Sequence, residues 1–176
     1  MKSFKFNIES QTSDGWLDRA QKCAQLIFSL EDVLAASPSL ADVGCGDQKL
    51  RNLLMMGPFN FRYHGYDIYP QSSDVMKFDA NKDDLGANFD VIASLGLTEY
   101  IDLPRFLSSM RKRCRFFIVS HVLRNSDQYG EADLRRLGWV NHLSAEDFEA
   151  NLLLAKFNVL QTRITKNSKT KIWLCN

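Results

Sequence analysis

The chain has 176 residues, of which 45% are apolar and 24% charged, and its formal net charge is +1. This length fits one domain with a hydrophobic core, and the composition excludes the disordered and fibrous classes of protein. A nearly neutral chain also lacks the overall field that attracts nucleic acids or anionic membranes.

The first half of the chain alternates between helical and strand patterns. Apolar residues recur at steps of three and four over 16–34, which predicts an amphipathic helix. A second helix follows the run "SLADVG", with Asp47 as its predicted N-cap and Gly57-Pro58 as its stop signal. The predicted strands of this half are "SLADVG" at 39–44, "FRYHGYDI" at 61–68, "VMKFDA" at 75–80 and "NFDVIASLGL" at 88–97.

The second half continues the alternation and ends in two strands. Asp102 and Pro104 begin a helix, "CRFFIVSHV" at 114–122 is an apolar strand, and Ser144 begins a helix that runs to about Phe157. The last strands, "NVLQTRI" and "TKIWLC", have a short connection and should pair as a hairpin. Together the elements predict an α/β fold in which helices cover both faces of a mostly parallel sheet, with one antiparallel strand at its end.

The loop after the first strand contains Gly44 and Gly46 in the sequence "DVGCGD". In a parallel sheet this loop is where a nucleotide-like ligand binds. A dinucleotide fingerprint would need a third glycine where the chain has Lys49, and the phosphate-binding P-loop pattern is absent as well. A plain tight turn is the structural alternative.

Carboxylates surround this loop. Asp42 precedes the glycines, Asp47 follows them, and Asp67 and Asp79 end the second and third predicted strands. Asp67 follows Gly46 by 21 residues, close to the ~20 expected for an acid that binds ribose hydroxyls. Carboxylates repel phosphates but suit a cofactor with hydroxyls, an amino group and a positive charge. S-adenosylmethionine has all three.

With these motifs the sequence resembles the class I S-adenosylmethionine-dependent methyltransferases, from about Leu40 to the last strand. The motifs "ADVGCGD", "YHGYDI" and "KFDA" look like the family's first three strand ends, and "FDVIASLGLTEYIDLPRFL" is similar to its fourth-strand segment. The resemblance implies a doubly wound, Rossmann-like sheet of seven strands in the order 3-2-1-4-5-7-6, with the seventh antiparallel. Many members have a third glycine where this chain has Gln48.

The resemblance also implies roles for individual residues. The backbone of Gly44, Cys45 and Gly46 would pass beside the methionine part of the cofactor, and Asp42 would reach its ammonium group. Asp67, followed by Ile68, would bind the ribose, and Asp79 with Ala80 the adenine. Ser94 and Leu95 would line the cofactor near its sulfonium. As structural alternatives, Asp67 and Asp79 could be ordinary residues of strand-end turns.

Methyl transfer needs a general base only when the acceptor must lose a proton. His121, near the end of the fifth strand, and Glu99, after the fourth, are the candidate catalytic residues. In the structural alternatives, His121 is a satisfied buried residue and Glu99 caps the following helix. We expect an acceptor site in the polar region 123–142, together with the N-terminal segment. The polar and aromatic residues of that region are Arg124, Asn125, Asp127, Tyr129, Arg135, Arg136, Trp139 and Asn141.

The sequence therefore predicts a single methyltransferase domain over residues 1–176. It comprises a helical N-terminal segment, 1–38, and a cofactor-binding core, 39–176. The expected acceptor is a small molecule or a sugar of a glycan. A non-catalytic protein of the same fold, which binds the cofactor or partners an active enzyme, is the alternative. A nicotinamide-dependent oxidoreductase is disfavoured by Lys49.

The cysteines and the remaining motifs bear on location and partners. Four cysteines form no zinc-binding spacing, which predicts reduced thiols, no metal site and a cytoplasmic protein. Cys23 and Cys114 are expected to be buried.

The start of the chain has no secretory signal, and no apolar run is long enough to span a membrane. The basic run "RKRCR" at 111–115 ends a predicted helix, where cations complement the dipole, and does not by itself indicate nucleic-acid binding. The oligomeric state is not predicted.

Overall fold

A seven-stranded sheet with the order β3-β2-β1-β4-β5-β7-β6 organises the molecule. The computed structural model describes residues 14–124 and 130–176. Strands β1 to β5 run parallel to one another, whereas β7 runs antiparallel to both of its neighbours, β5 and β6. The predicted fold class and strand order are confirmed. The antiparallel strand is not the outermost one, because β6 forms the edge beyond it.

The elements have the following bounds in chain order. The strands are β1 (Ser39–Val43), β2 (Arg62–Asp67), β3 (Val75–Lys77), β4 (Phe89–Ser94), β5 (Cys114–Val122), β6 (Val159–Ile164) and β7 (Thr170–Cys175). The helices are α1 (Asp14–Phe28), α2 (Lys49–Leu54), α3 (Leu103–Arg111), α4 (Glu131–Leu137) and α5 (Ala145–Leu154), with a 3₁₀ turn at Thr98–Tyr100. Within these described elements, no helix is both long and apolar enough to cross a membrane.

Helices bury both faces of the sheet. On one face, α1 and α2 pack Ile27 and Leu50 against apolar side chains of β1, β4 and β7. On the other, α3 and α5 bury Phe106 and Phe148 against Ile92 and the neighbouring strands. The strands in the middle of the sheet are therefore apolar on both sides, which leaves their carboxyl ends as the place where polar side chains gather.

Capping side chains set the start of two helices. Asp102 accepts a hydrogen bond from the backbone N–H of Arg105 at 3.2 Å, and Ser144 accepts one from Asp147 at 3.1 Å. Both predicted starts are confirmed. The predicted burial of Cys23 and Cys114 is confirmed as well.

Several sequence expectations about local structure are wrong. The predicted N-cap Asp47 lies outside α2, which Gln48 precedes in a left-handed conformation (φ 60°). The first helix ends at Phe28 rather than near residue 34, the third strand stops at Lys77, and α5 stops at Leu154. Region 123–142 is not wholly irregular, because it contains α4. Beyond Phe28 the chain continues in tighter local turns, in which Leu30 donates to Ile27 and Val33 to Leu30.

Candidate functional site

The glycine loop turns sharply at the carboxyl end of β1. Gly44 (φ 80°) and Gly46 (φ 52°) both have left-handed backbones, a conformation that favours glycine. The backbone N–H groups of Gly44 and Cys45 donate to the carbonyl of Tyr66 at 2.8 and 3.1 Å. A Cβ atom on Gly46 would have no neighbour within 4 Å, so one side of the loop is open.

The carboxylate of Asp67 holds the loop to the end of β2. Its Oδ2 accepts the backbone N–H of Gly46 at 2.9 Å, and its Oδ1 accepts that of Tyr69 at 2.9 Å. Asp67 is buried. Each carboxylate oxygen has two acceptor positions, so each can accept one further hydrogen bond.

Asp42 lies below the same loop and is buried. The hydroxyl of Tyr63 donates a hydrogen bond of 2.6 Å to its Oδ2. Burial raises the pKa of Asp42 to about 7; the hydrogen bond from Tyr63 lowers it, and the nearby charge of Asp67 raises it. The carboxyl group therefore changes its charge near neutral pH, and a cation beside it would favour the ionised form.

Cys45 has no chemical role in this arrangement. The residue is buried, and burial together with the charges of Asp42 and Asp67 raises the pKa of its thiol. A thiol with a raised pKa stays protonated and is a poor nucleophile. Cys45 therefore contributes its backbone and its small volume to the loop.

Gln48 occupies the position of the missing third glycine, and its side chain forms a polar network. Its Nε2 donates to Ser72 at 2.9 Å and to Asp74 at 3.3 Å, and its Oε1 accepts from Arg51 at 3.0 Å. These contacts join the glycine loop to the segment after β2. These contacts offset part of the free-energy cost of the left-handed backbone conformation that Gln48, a non-glycine residue, adopts.

The variants Gln48→Gly and Gln48→Ala separate backbone strain from these side-chain contacts. Both lose the network, but only alanine keeps the strained left-handed backbone. We expect Gln48→Gly to be more stable than Gln48→Ala by about 1 kcal/mol, measured by urea unfolding. Equal unfolding free energies would show that the backbone at position 48 carries no strain.

The end of β4 contributes buried groups to the same edge of the sheet. Ser94 is fully buried, and its Oγ has no hydrogen-bond partner among the described residues. Leu95 belongs to the apolar cluster beneath α1. Leu97 lies against the glycine loop, since a Cβ atom on Gly44 would be 3.4 Å from its Cβ. No sequence pattern singled out Leu97 as a neighbour of this loop.

The predicted adenine-binding residues lie in the turn after β3. The Oδ1 of Asp79 accepts the backbone N–H of Asn81 at 3.0 Å, and its Oδ2 pairs with Lys82 at 3.1 Å. Ala80 is half-buried, and Ile68 is exposed just after β2. The backbone N–H of Phe78 donates to the carbonyl of Asp67 at 2.9 Å, so this turn and Asp67 are joined.

His121 is fully buried at the end of β5, and both of its ring nitrogens have partners. Its Nε2 accepts the backbone N–H of Leu143 at 3.1 Å, and its Nδ1 lies 2.9 Å from Oγ1 of Thr98. The Thr98 hydroxyl donates to the carbonyl of Ser120 at 2.9 Å, which assigns the ring proton to Nδ1. Burial lowers the pKa of His121, against the nearby charge of Glu99, which raises it. In this arrangement the neutral ring has no free lone pair.

Glu99 is buried next to His121, in the 3₁₀ turn after β4. Its Oε1 accepts the backbone N–H of Val122 at 2.7 Å and lies 3.8 Å from Nδ1 of His121. Its Oε2 is buried and has no hydrogen-bond partner among the described residues. A buried carboxylate oxygen without a partner costs free energy, so its free acceptor positions call for an explanation such as a donor from a bound ligand.

Helix α1 covers this region with Trp16 and Arg19. The Arg19 guanidinium lies over the Trp16 ring at 4.4 Å, is buried, and donates to Oγ1 of Thr170 at 3.2 Å. Burial lowers the pKa of Arg19, whereas the charge of Glu99 raises it. A Cβ atom on Gly96 would be 2.4 Å from both Arg19 Nη1 and the Trp16 ring, so the helix packs directly on the loop after β4.

Only part of the predicted acceptor region can be described. Asn125, Asp127, Tyr129 and the side chain of Arg135 lie outside the described residues, as do residues 1–13 of the predicted N-terminal segment. Asn141 donates to the carbonyls of Thr98 and Ile101 at 2.7 and 2.6 Å, and so fixes the turn that carries Glu99. Arg124 pairs with Asp147 at 3.4 Å on the surface, and Arg136 pairs with Asp133 at 3.6 Å.

Several residues of this edge were not predicted from the sequence. They are Trp16, Arg19, Tyr63, Leu97 and Thr98. Arg19 was missed because the helical pattern of α1 assigns charged residues to the solvent side. The contact of Tyr63 with Asp42 depends on the register of β1 with β2, which local sequence patterns do not provide. The described residues contain no group of His, Cys, Asp and Glu that could hold a metal ion.

Comparisons with known proteins find methyltransferases that are similar to this chain. A family model described as "Methyltransferase domain" matches residues 16–162. A search among curated proteins gives no match. The similar solved structures include an S-adenosylmethionine-dependent methyltransferase from Clostridium acetobutylicum ATCC 824 (13% identity, TM-score 0.67, 96% of this chain and 94% of that chain covered).

Two further solved structures have the same fold. One is magnesium protoporphyrin IX methyltransferase from Synechocystis PCC 6803 with bound S-adenosylhomocysteine (16% identity, TM-score 0.70, 92% of this chain and 82% of that chain covered). The other is human N-acetylserotonin methyltransferase in complex with S-adenosylmethionine (16% identity, TM-score 0.61, 89% and 55% covered). At these identities the similarity is one of fold.

Proposed function

The chain belongs to the methyltransferase-domain family, and from this premise we propose that it transfers a methyl group from S-adenosylmethionine to a small molecule or to a sugar of a glycan. The assignment of this cofactor rests on one observation, namely that buried carboxylates lie on both sides of the glycine loop. Asp42 lies beneath the loop, and Asp67 is bonded to the backbone of Gly46. The solved relatives include enzymes that are named for small-molecule acceptors, which supports that class of substrate.

The residues of the loop fit this cofactor in charge and in shape. The glycines leave the backbone open to close approach, and Asp42 complements an ammonium group. Asp67 has one acceptor position left on each oxygen, which suits the two hydroxyls of a ribose. Asp79 and Ala80 are proposed to border the adenine, with Ile68 beside them. Ser94 and Leu95 are proposed to line the sulfonium end.

The cofactor, when bound, supplies an activated methyl group on a sulfonium. The protein contributes alignment of the acceptor and exclusion of water. We propose that Glu99 accepts a hydrogen bond or a proton from the acceptor through its unpartnered Oε2. His121, whose ring nitrogens are both engaged, is proposed to hold the Thr98–Tyr100 turn in place rather than to act as the base. Region 123–142 is proposed to complete the acceptor site.

Titration calorimetry with S-adenosylhomocysteine, followed by acceptor screening with methyl-labelled S-adenosylmethionine, tests this function. We expect saturable binding and label transfer to a small or glycan acceptor. No binding at millimolar concentration would refute the cofactor assignment. Binding without transfer to any acceptor would favour the non-catalytic alternative, in which the protein serves as a cofactor-binding partner subunit.

The charge of Asp42 makes the binding of the cofactor product pH-dependent. Only the ionised carboxylate attracts an ammonium group, and the pKa of Asp42 is raised to about 7. We expect the affinity for S-adenosylhomocysteine to rise roughly eightfold between about pH 6 and about pH 7.5, as measured by calorimetry. In Asp42→Asn the affinity should be lower and this pH dependence should vanish. An unchanged pH profile in that variant would assign the titration to another group.

The variant Glu99→Gln tests the proposed role of the free oxygen. The amide keeps the shape of the side chain but removes its charge and its basicity. We expect turnover on the identified acceptor to fall about 100-fold or more, with S-adenosylhomocysteine affinity within about twofold of the wild type. As a matched control, Glu149→Gln alters a carboxylate that bonds Lys171 and Trp173 and should leave turnover unchanged. Full turnover in Glu99→Gln would remove Glu99 from the reaction.

A further inference from the structure

A basic pocket lies at the opposite, amino-terminal edge of the sheet, and the proposed methyl transfer does not use it. The pocket has a volume of about 400 Å³ and is lined by Arg111, Arg115, Phe116, Asn158 and Asn176. This volume is within the range of small-molecule sites. Arg115 and His121 lie six residues apart on β5, so the pocket is roughly 20 Å from the candidate active site.

The two arginines of the pocket are held in place by contacts that do not neutralise them. Arg111 Nε donates to the carbonyl of Lys156 at 2.9 Å, and its guanidinium lies 5.6 Å from the centre of the Phe157 ring. Arg115 Nη1 donates to the carbonyl of Val33 at 2.8 Å. The Arg115 guanidinium lies 5.1 Å from the centre of the Phe116 ring. Each guanidinium therefore keeps further N–H donors for a ligand.

The carboxylates near the pocket are engaged with other groups. Asp84 pairs with Arg113 at 2.8 Å. Asp90 accepts hydrogen bonds of 2.8 Å from the backbone N–H and the hydroxyl of Ser39, and its charge interacts with Arg115 only at longer range. Within 14–124 and 130–176, neither Arg111 nor Arg115 forms an ion pair. No side-chain carboxylate among the described residues pairs with either arginine, and the main-chain oxygen of Asn176 at the pocket wall accepts the backbone N–H of Asn158 at 2.9 Å.

The far side of the pocket is held together by backbone hydrogen bonds. The backbones of Asn158 and Asn176 exchange two hydrogen bonds, of 2.9 and 3.0 Å. These bonds extend the β6–β7 pairing beyond the ends of both strands. The bonded wall reduces the conformational entropy that is lost when a ligand binds, whereas each arginine side chain is positioned by one hydrogen bond and one aromatic contact.

We propose that this pocket binds a phosphate group of a small molecule, through Arg111 and Arg115. Guanidinium groups match the oxygens of phosphate in bidentate geometry, and two of them neutralise a dianion. Only two guanidinium groups line this open depression, which favours a small ligand over a nucleic acid, because a nucleic acid needs a broader basic face. The site is independent of the cofactor, so its occupancy does not require the methyl-transfer reaction.

Calorimetry and phosphorus NMR with pyrophosphate at low ionic strength test the proposal. We expect saturable binding at millimolar pyrophosphate or below, and a loss of affinity of at least about tenfold in the double variant R111Q/R115Q. The matched control K166Q/K169Q removes the same charge at the other edge of the sheet and should bind like the wild type. The variant R111K/R115K keeps the charge without the planar donors and should be intermediate.

The possible outcomes distinguish this proposal from its competitors. No pyrophosphate binding by the wild type, or equal weakening in both glutamine variants, would overturn it. A short single-stranded RNA that binds through the same arginines while pyrophosphate does not bind would also overturn it, in favour of a nucleic-acid surface. Binding of S-adenosylhomocysteine should be unaffected in R111Q/R115Q, which also reports correct folding. A failure of cofactor binding in the wild type would leave the pyrophosphate result intact.

Discussion

The variant Asp67→Ala should lose both affinity for the cofactor and stability of the fold. The change leaves the backbone N–H groups of Gly46 and Tyr69 without their acceptor, at a combined cost of about 2–4 kcal/mol in the free energy of unfolding. It also removes the carboxylate proposed to bind the ribose. We expect the affinity for S-adenosylhomocysteine to fall by about 100-fold or more, measured by calorimetry below the melting temperature.

A carboxylate in a similar structural role provides the control. Asp90 accepts the backbone N–H and the hydroxyl of Ser39, but at the amino-terminal edge of the sheet. Asp90→Ala should lower the stability by a comparable amount and leave the affinity for S-adenosylhomocysteine unchanged. Equal affinities of the two variants would mean that Asp67 affects binding only through general stability, and the ribose assignment would then be wrong.

The variant Gly96→Ala should displace the start of α1. Its new methyl group would lie 2.4 Å from Arg19 Nη1 and from the Trp16 ring, and its backbone has a φ of 71°. Overpacking and left-handed strain together should cost about 2–4 kcal/mol, which lowers the melting temperature by about 5–15 °C. Tryptophan fluorescence should report the movement of Trp16.

Gly86→Ala isolates the backbone contribution to this effect. Gly86 has a similar φ of 68°, but a Cβ atom there would meet nothing within 4 Å. We expect a loss of only about 1 kcal/mol and no fluorescence change. If the two alanine variants were equally stable, the contact between α1 and the loop after β4 would contribute nothing to the fold.

The sheet was predictable from the sequence because its strands are apolar on both sides. Continuous apolar runs such as residues 114–122 need no tertiary information to be recognised. The order of the strands was not worked out from these patterns. It came from the resemblance of the motifs around Gly44 and Asp67 to a known family, and from the short connection that makes the last strands a hairpin.

The side chains that complete the candidate site were less predictable. Arg19 is buried because Trp16, Gly96, Glu99 and Thr170 surround it, and these residues come together only in the folded chain. The unusual backbone at Gln48 follows from the turn that the glycine loop must make. A side chain with neighbours from distant segments leaves no periodic signal in its own segment.

Helix α4 does have a signal for its end in the sequence. Gly138, with φ of 74°, follows directly after Leu137, the last residue of the helix. A glycine in this conformation is the common end of a helix. The mixed polar and aromatic composition of region 123–142 had instead suggested an irregular loop.

The position of β7 between β5 and β6 has a consequence for synthesis of the chain. Until β7 emerges from the ribosome, β5 has an unpaired edge, and β6 has no partner strand. Helix α1 is synthesised before this hairpin and gains two of its contacts only when the hairpin is present. In these contacts Asp18 accepts the backbone N–H of Lys166, and Arg19 donates to Thr170. Long-range pairings of this kind form late. The nascent protein should therefore depend on protection of the β5 edge, and stalled chains that end before residue 170 should bind chaperones and aggregate.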